Sequence, residues 1–171
     1  DYLNDDFNQA KEMSKLQKLD QVLFNPKKGS QYIKRLQVLD PNISFKPIIN
    51  MTRDEVYSTM MQSKIYIDLG LHPGKDRIPR EAVSMGCCIM TCKKGSARNP
   101  FDVPIPAEYK FDLKRAGLIK ILDQVRTVFS DFDARQNDFD HYRKVVRNEK
   151  ISFLNNTTNL LDIISSLSRD R

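Results

Sequence analysis

Residues 63–91 read SKIYIDLGLHPGKDRIPREAVSMGCCIMT and hold two apolar runs separated by a loop and a helical segment. The first run, 64–69, has the length and composition of a strand, and a loop with two glycines and a proline follows it. Pro79 suits the first turn of a helix, where its missing N–H is not needed, and this predicts a helix over 79–85. The second run, 87–91, is apolar throughout, which is typical of a strand covered on both faces. Together they predict a strand–helix–strand unit of a parallel sheet.

The same alternation extends along the rest of the chain. Thr52 and Glu55 form a capping-box pattern and predict a helix that ends near Gln62. Further predicted elements are a strand at 22–24, a helix at 32–39, a strand at 43–49, a strand at 109–111, and helices at 118–129, 139–147 and 160–167. The fold class predicted is therefore α/β, a Rossmann-like parallel sheet covered by helices on both faces, with extra C-terminal helices.

Two units are expected along the chain. Residues 7–19 carry apolar side chains three apart among polar ones, so residues 1–20 are predicted to form a connector helix. Residues 21–171 are predicted to form the Rossmann-like domain. The chain begins without methionine, which we interpret as a piece of a longer protein.

Composition places the chain among folded globular proteins. Its 171 residues are 40% hydrophobic and 29% charged, enough for one core of ordinary size and too few for two full domains. The 28 basic residues against 22 acidic ones give a net charge of +6, which permits anionic partners such as phosphate esters, nucleic acid or an acidic membrane surface. The sequence shows neither a membrane span nor a signal peptide, so we expect a cytoplasmic protein. Cys87, Cys88 and Cys92 form no disulfide or zinc pattern and are expected to be reduced.

Three basic loops follow predicted strands, where doubly wound sheets bind ligands. The first loop, residues 25–29, holds Lys27, Lys28 and Gly29, a set that could receive a phosphate or be a solvated turn. The second loop, residues 71–81, and the third, residues 93–98, are also basic.

The second loop is the stronger candidate for a diphosphate clamp. Lys75, Arg77 and Arg80 lie within six residues, and two arginines three apart could share one helical face. The structural alternative makes Asp76 a helix cap and Arg80 and Glu81 surface charges. For the third loop, a flexible surface loop remains the alternative.

Other reactive residue types have plainer interpretations. His72 could act as a general base, although a lone histidine beside a proline is more often a local hydrogen-bonding group. The sequence shows no Ser/His/Asp arrangement, no metal-ligand cluster and no G-x-G-x-x-G motif. No metal site is predicted, and the catalytic residues are not assigned.

Residues 77–91 resemble the donor-domain motif of GT-B glycosyltransferases, in which a glutamate opens an E-A-x-x-x-G helix that is followed by an apolar strand. The resemblance spans about residues 21–111 and is to the C-terminal half of bacterial polysaccharide-biosynthesis enzymes. It implies a metal-independent transferase that takes a nucleotide-diphosphate sugar as its donor and needs no further cofactor.

The resemblance also implies roles for individual residues. Glu81 would bind the ribose, while Lys27, Lys28, Arg77 and Arg80 would face the diphosphate; Gly29, Gly74 and Lys75 complete the predicted substrate-binding set. Many relatives carry a second glutamate eight residues before the helix glutamate, and this chain has Pro73 there. The retaining or inverting outcome is therefore left open.

The GT-B fold has two halves, so the resemblance implies that an N-terminal acceptor-binding half is missing and that this chain alone transfers little or no sugar. The acceptor would be a saccharide or a lipid-linked saccharide, and the positive charge suits peripheral contact with an anionic membrane. The alternatives are a non-catalytic nucleotide- or phosphate-binding module, a nucleic-acid-binding domain, and a GT-B-fold epimerase. Nucleic acid is not expected as a partner because no aromatic residues interleave with the basic ones.

Overall fold

The computed structural model describes Leu3 and residues 17–169, with side chains through residue 161. Within this part of the chain the strands are β1 (Leu19–Phe24), β2 (Ser44–Pro47), β3 (Ser63–Asp68), β4 (Cys88–Cys92) and β5 (Lys110–Phe111). The helices are α1 (Ser30–Leu39), α2 (Arg53–Gln62), α3 (Arg77–Ser84), α4 (Arg115–Ser130), α5 (Phe132–Arg135) and α6 (Asp140–Arg169). Turns of 3₁₀ helix lie at Ser96–Arg98, Ala107–Tyr109 and Gln136–Phe139. The predicted connector helix over residues 1–20 falls largely outside the described residues, and its last two residues belong to β1.

All five strands pair in parallel in the order β2-β1-β3-β4-β5. The second half of β1, most of β3 and the whole of β4 are buried, as expected for a sheet covered on both faces. The chain moves from β1 towards one edge and then returns past β1 to β3, β4 and β5. Right-handed crossovers therefore place α1 on one face and α2 and α3 on the other. The Rossmann-like α/β fold predicted from the sequence is confirmed.

The start of α2 shows how local sequence sets these elements. The Glu55 backbone N–H donates to Thr52 Oγ1 at 3.3 Å, and the Thr52 N–H donates to Glu55 Oε2 at 2.7 Å. The predicted capping box is confirmed. The hydrogen bond from the Thr52 backbone is the main reason why the pKa of the Glu55 carboxyl lies below its usual value.

The C-terminal region differs from the prediction. Two helical segments were expected at 139–147 and 160–167, and the structure has the single helix α6 through both. Residues 148–159 contain no glycine or proline to end a helix, so the weak apolar pattern there reflects exposure and not a break. Every side chain from Ile151 to Leu161 is exposed, so this half of α6 extends away from the core. No helix in the described residues is both long enough and apolar enough to cross a bilayer.

Candidate functional site

The strand order reverses between the carboxyl ends of β1 and β3, the position where sheets of this kind have a crevice. The connections leaving these two adjacent strands run in opposite directions, which is where open α/β sheets bind ligands. The first and second loops follow these strands. Gly29 has φ +68, and a Cβ atom there would lie 2.6 Å from the carbonyl carbon of Leu69, so a glycine lets the first loop touch the end of β3. The structure thus brings the first two predicted loops together.

The third loop packs against the second through His72. The Ser96 N–H donates to the His72 carbonyl at 2.8 Å, and Ser96 Oγ donates to the Gly74 carbonyl at 2.6 Å. Gly95, with φ +59, is so close that a Cβ atom would lie 2.1 Å from the His72 carbonyl oxygen. All three predicted loops therefore meet at one edge of the sheet.

A cluster of titratable side chains joins the first two loops to the end of β3. Lys28 Nζ is 2.5 Å from Asp76 Oδ2 and 3.8 Å from Asp68 Oδ2. His72 Nε2 is 3.4 Å from Asp68 Oδ1, and His72 Nδ1 is 2.9 Å from Asp76 Oδ2. Neither ring nitrogen is aligned for a hydrogen bond. These four residues, Lys28, Asp68, His72 and Asp76, are called the switch-point cluster below.

Asp68 is the buried anchor of the switch-point cluster. Its side chain is 1% exposed, and Oδ1 accepts a hydrogen bond from the Gly70 N–H at 3.0 Å. Burial opposes the ionisation of Asp68, but contact with His72, the Gly70 N–H and the charge of Lys28 together outweigh it and lower the pKa of this carboxyl. The cluster therefore holds a carboxylate that stays ionised although it is buried.

Two helices point their N-termini at the same edge of the sheet. Neither α1 nor α3 has a side-chain hydrogen bond at its N-cap, and neither carries an acidic residue in its first turn. The N-cap residue of α3 is Asp76, whose carboxylate lies against Lys28 and His72 instead. The N–H groups of the first turn of α1, and those that precede Pro79 in α3, therefore keep their capacity to bind an anion.

The predicted site residues of α3 form two separate ion pairs. Arg77 Nε lies 2.5 Å from Glu81 Oε1, and the side chain of Glu81 is 7% exposed while that of Arg77 is 59% exposed. The hydrogen bond to Glu81 raises the pKa of Arg77. Arg80 is buried and donates to Glu149 of α6 at 2.8 Å, so the geometry gives it a contact between two helices and not an open face towards a diphosphate.

The remaining predicted residues lie around the same edge. Lys27 is exposed, Gly74 lies in the second loop, and Lys75 Nζ is 3.6 Å from Glu149 Oε1. Lys94 of the third loop lies over the ring of Tyr32 and donates to its hydroxyl at 3.3 Å, which links this loop to α1. Among the predicted cations of the first and second loops, the most exposed are Lys27, Lys75 and Arg77.

The sequence did not predict a set of potential metal ligands within the switch-point cluster. Asp68, His72 and Asp76 each offer one ligand atom, and these atoms lie within 4.8 Å of one another. These three residues are four positions apart in the sequence. That spacing places side chains on one face of a helix, but it does not predict that they meet in an irregular loop. The ammonium of Lys28 already lies against both carboxylates, so the cluster carries its own cation.

A second concave region lies away from the crevice. A groove of about 550 Å³ separates β5 from α4. Its lining alternates in charge, with Lys93, Lys110, Lys114 and Lys120 beside Glu108, Asp112 and Asp123. Mixed charge gives this groove no preference for an anion, so the crevice between β1 and β3 remains the candidate site.

Comparison with known proteins adds no relative, because no protein-family model and no curated protein matches the chain.

Proposed function

We propose that this chain is the donor-binding domain of a glycosyltransferase and binds a nucleotide-diphosphate sugar in the crevice between β1 and β3. The observation that carries the proposal is the convergence of the uncapped N-termini of α1 and α3 at the point where the strand order reverses. Free backbone N–H groups and the positive ends of two helix dipoles suit a diphosphate group.

The chemistry of the proposed reaction fits the charges around the crevice. Departure of a nucleoside diphosphate builds negative charge, which the helix N-termini and exposed cations such as Lys27 and Lys75 would stabilise. Glu81 lies in the second turn of α3 and offers a carboxylate to the ribose hydroxyls, with Arg77 holding it in place. As the resemblance implies, the acceptor would come from a second domain, and the chain alone would transfer little sugar.

The test is a thermal-shift panel with UDP, GDP, CDP, ADP and TDP and their sugar conjugates. At about a hundred times its dissociation constant, a ligand adds about 2.7 kcal/mol of stability, which raises the melting temperature by several degrees in a domain of this size. We expect one base to give a shift and Glu81→Gln to abolish it. Glu108→Gln is the matched control, because Glu108 is an exposed glutamate outside the crevice.

The panel also separates the alternatives. Equal shifts with a nucleotide and its sugar conjugate would favour a non-catalytic nucleotide-binding module. No shift with any nucleotide, combined with oligonucleotide binding that falls steeply with salt, would favour a nucleic-acid-binding domain. Either result would contradict the donor-domain proposal.

A further inference from the structure

We propose that Asp76 holds the Lys28 ammonium in the free protein and releases it to a diphosphate when the ligand binds, so that the Lys28–Asp76 ion pair acts as a latch. The inference rests on the proposed function because it takes the diphosphate of the donor as the ligand. A ligand must then carry enough negative charge to displace Asp76 from Lys28.

The two carboxylates beside Lys28 differ in their exposure to solvent. Asp68 is 1% exposed and lies 3.8 Å from Lys28 Nζ, whereas Asp76 is 19% exposed and lies at 2.5 Å. An incoming anion can reach Asp76 and cannot reach Asp68. Asp68 therefore stays near Lys28 throughout, while the contact with Asp76 can be exchanged.

The start of α3 supports the exchange. Asp76 occupies the N-cap position, where an aspartate normally accepts from the first N–H groups of its helix. Here its carboxylate is drawn instead to Lys28 and His72, so it does not satisfy those donors. A diphosphate at the end of α3 would bind the N–H groups and also compete for Lys28, since it carries more charge than a single carboxylate.

The same geometry explains why the Lys28 ammonium attracts a ligand only weakly in the free protein. Its charge lies between two carboxylates, and a ligand must replace one of them before it gains the attraction of the ammonium. Removal of the Asp76 charge should therefore raise the affinity for anions, and the gain should be larger while Lys28 is present.

The experiment is a double-mutant cycle measured by calorimetry with inorganic pyrophosphate at fixed ionic strength. The proteins are the wild type, Asp76→Asn, Lys28→Met and the double variant, each checked for cooperative thermal unfolding. We expect Asp76→Asn to bind pyrophosphate about fivefold more tightly, the effect of a partly exposed ion pair of about 1 kcal/mol. In the Lys28→Met background this gain should be clearly smaller.

A charge control and a replacement variant accompany the cycle. Asp133→Asn removes an exposed carboxylate of α5 and should leave pyrophosphate affinity unchanged, which excludes an effect of net charge alone. If Asp76→Asn fails to fold, Asp76→Ala takes its place in the cycle.

The outcomes separate this inference from the proposed function. Pyrophosphate binding that appears only in Asp76→Asn would support the latch in its strongest form. An equal gain with and without Lys28, or no gain at all, would overturn the latch and leave the donor site standing. If no variant binds pyrophosphate, the latch is overturned, and the nucleotide panel decides separately whether the crevice is a donor site.

Discussion

Asp68 shows how one residue couples the site to the stability of the fold. It lies at the end of a central strand, almost fully buried, between His72 and Lys28. The contacts that keep it ionised exist only in the folded state, so its pKa is lower there than in the unfolded chain. The folded protein therefore gains stability from Asp68 above the unfolded pKa of about 3.9 and loses that gain as the pH falls through the folded value.

We expect Asp68→Asn to remove this pH dependence. The variant should be less stable than the wild type at pH 7, and the difference in the free energy of unfolding should shrink as the pH falls below about 4. Urea denaturation of both proteins between pH 7 and pH 3 measures the difference. A difference that stays constant across this range would show that the Asp68 carboxylate is not stabilised in the fold.

At the scale of single elements, the loop after β3 depends on the loop after β4. The only regular contact between them in the described residues is the bridge at His72 and Gly95, reinforced by the two Ser96 hydrogen bonds. A side chain at Gly95 would collide with the His72 carbonyl and would also need a backbone conformation that L-residues rarely adopt. The position of His72, and with it the switch-point cluster, therefore depends on a glycine in a different loop.

Gly95→Ala should separate the two loops. We expect a loss of about 2–4 kcal/mol in the free energy of unfolding, since the new Cβ meets backbone atoms that cannot yield cheaply. Gly74→Ala is the matched control: a Cβ atom there meets nothing within 4 Å, so stability should change by less than about 0.5 kcal/mol. Chemical denaturation of both variants tests this, and equal losses would contradict the close approach at Gly95.

At the scale of the whole molecule, the first part of α6 packs on the domain and residues 151–161 do not. Its first half is packed on the domain through the buried Tyr142 and Val146 and through the ion pair of Glu149 with Arg80. From Ile151 to Leu161 every side chain is exposed, so tertiary packing of these residues adds nothing to the core.

Truncation should distinguish these halves. A chain that ends at residue 150 is expected to keep its free energy of unfolding within about 0.5 kcal/mol of the full chain. A chain that ends at residue 139 should lose several kcal/mol, because it leaves the Arg80 guanidinium buried without its carboxylate partner and exposes core side chains. Urea denaturation compares the three lengths. We expect strong destabilisation only in the chain that ends at residue 139, and a large loss after removal of residues 151–171 would contradict the division.

The order of strands and helices followed from local patterns in the sequence. Apolar runs such as 87–91, the Thr52–Glu55 capping box and the proline at the start of α3 act within a few residues, so their consequences can be predicted without the fold. The three basic loops could be placed at one edge because the ends of parallel strands share an edge. This much of the candidate site was predictable.

The roles of individual charges depended on contacts between residues far apart in the chain. Lys28 and Asp76 are 48 positions apart, Arg80 and Glu149 are 69 apart, and Lys18 donates from outside β1 to the carbonyls of Met60, Ser63 and Met85. No local pattern links such partners, because burial and pairing arise only when the sheet and helices pack. Local periodicity thus specified the elements and the edge that carries the site, while tertiary packing decided that Arg80 joins two helices and that Lys28 lies between two carboxylates.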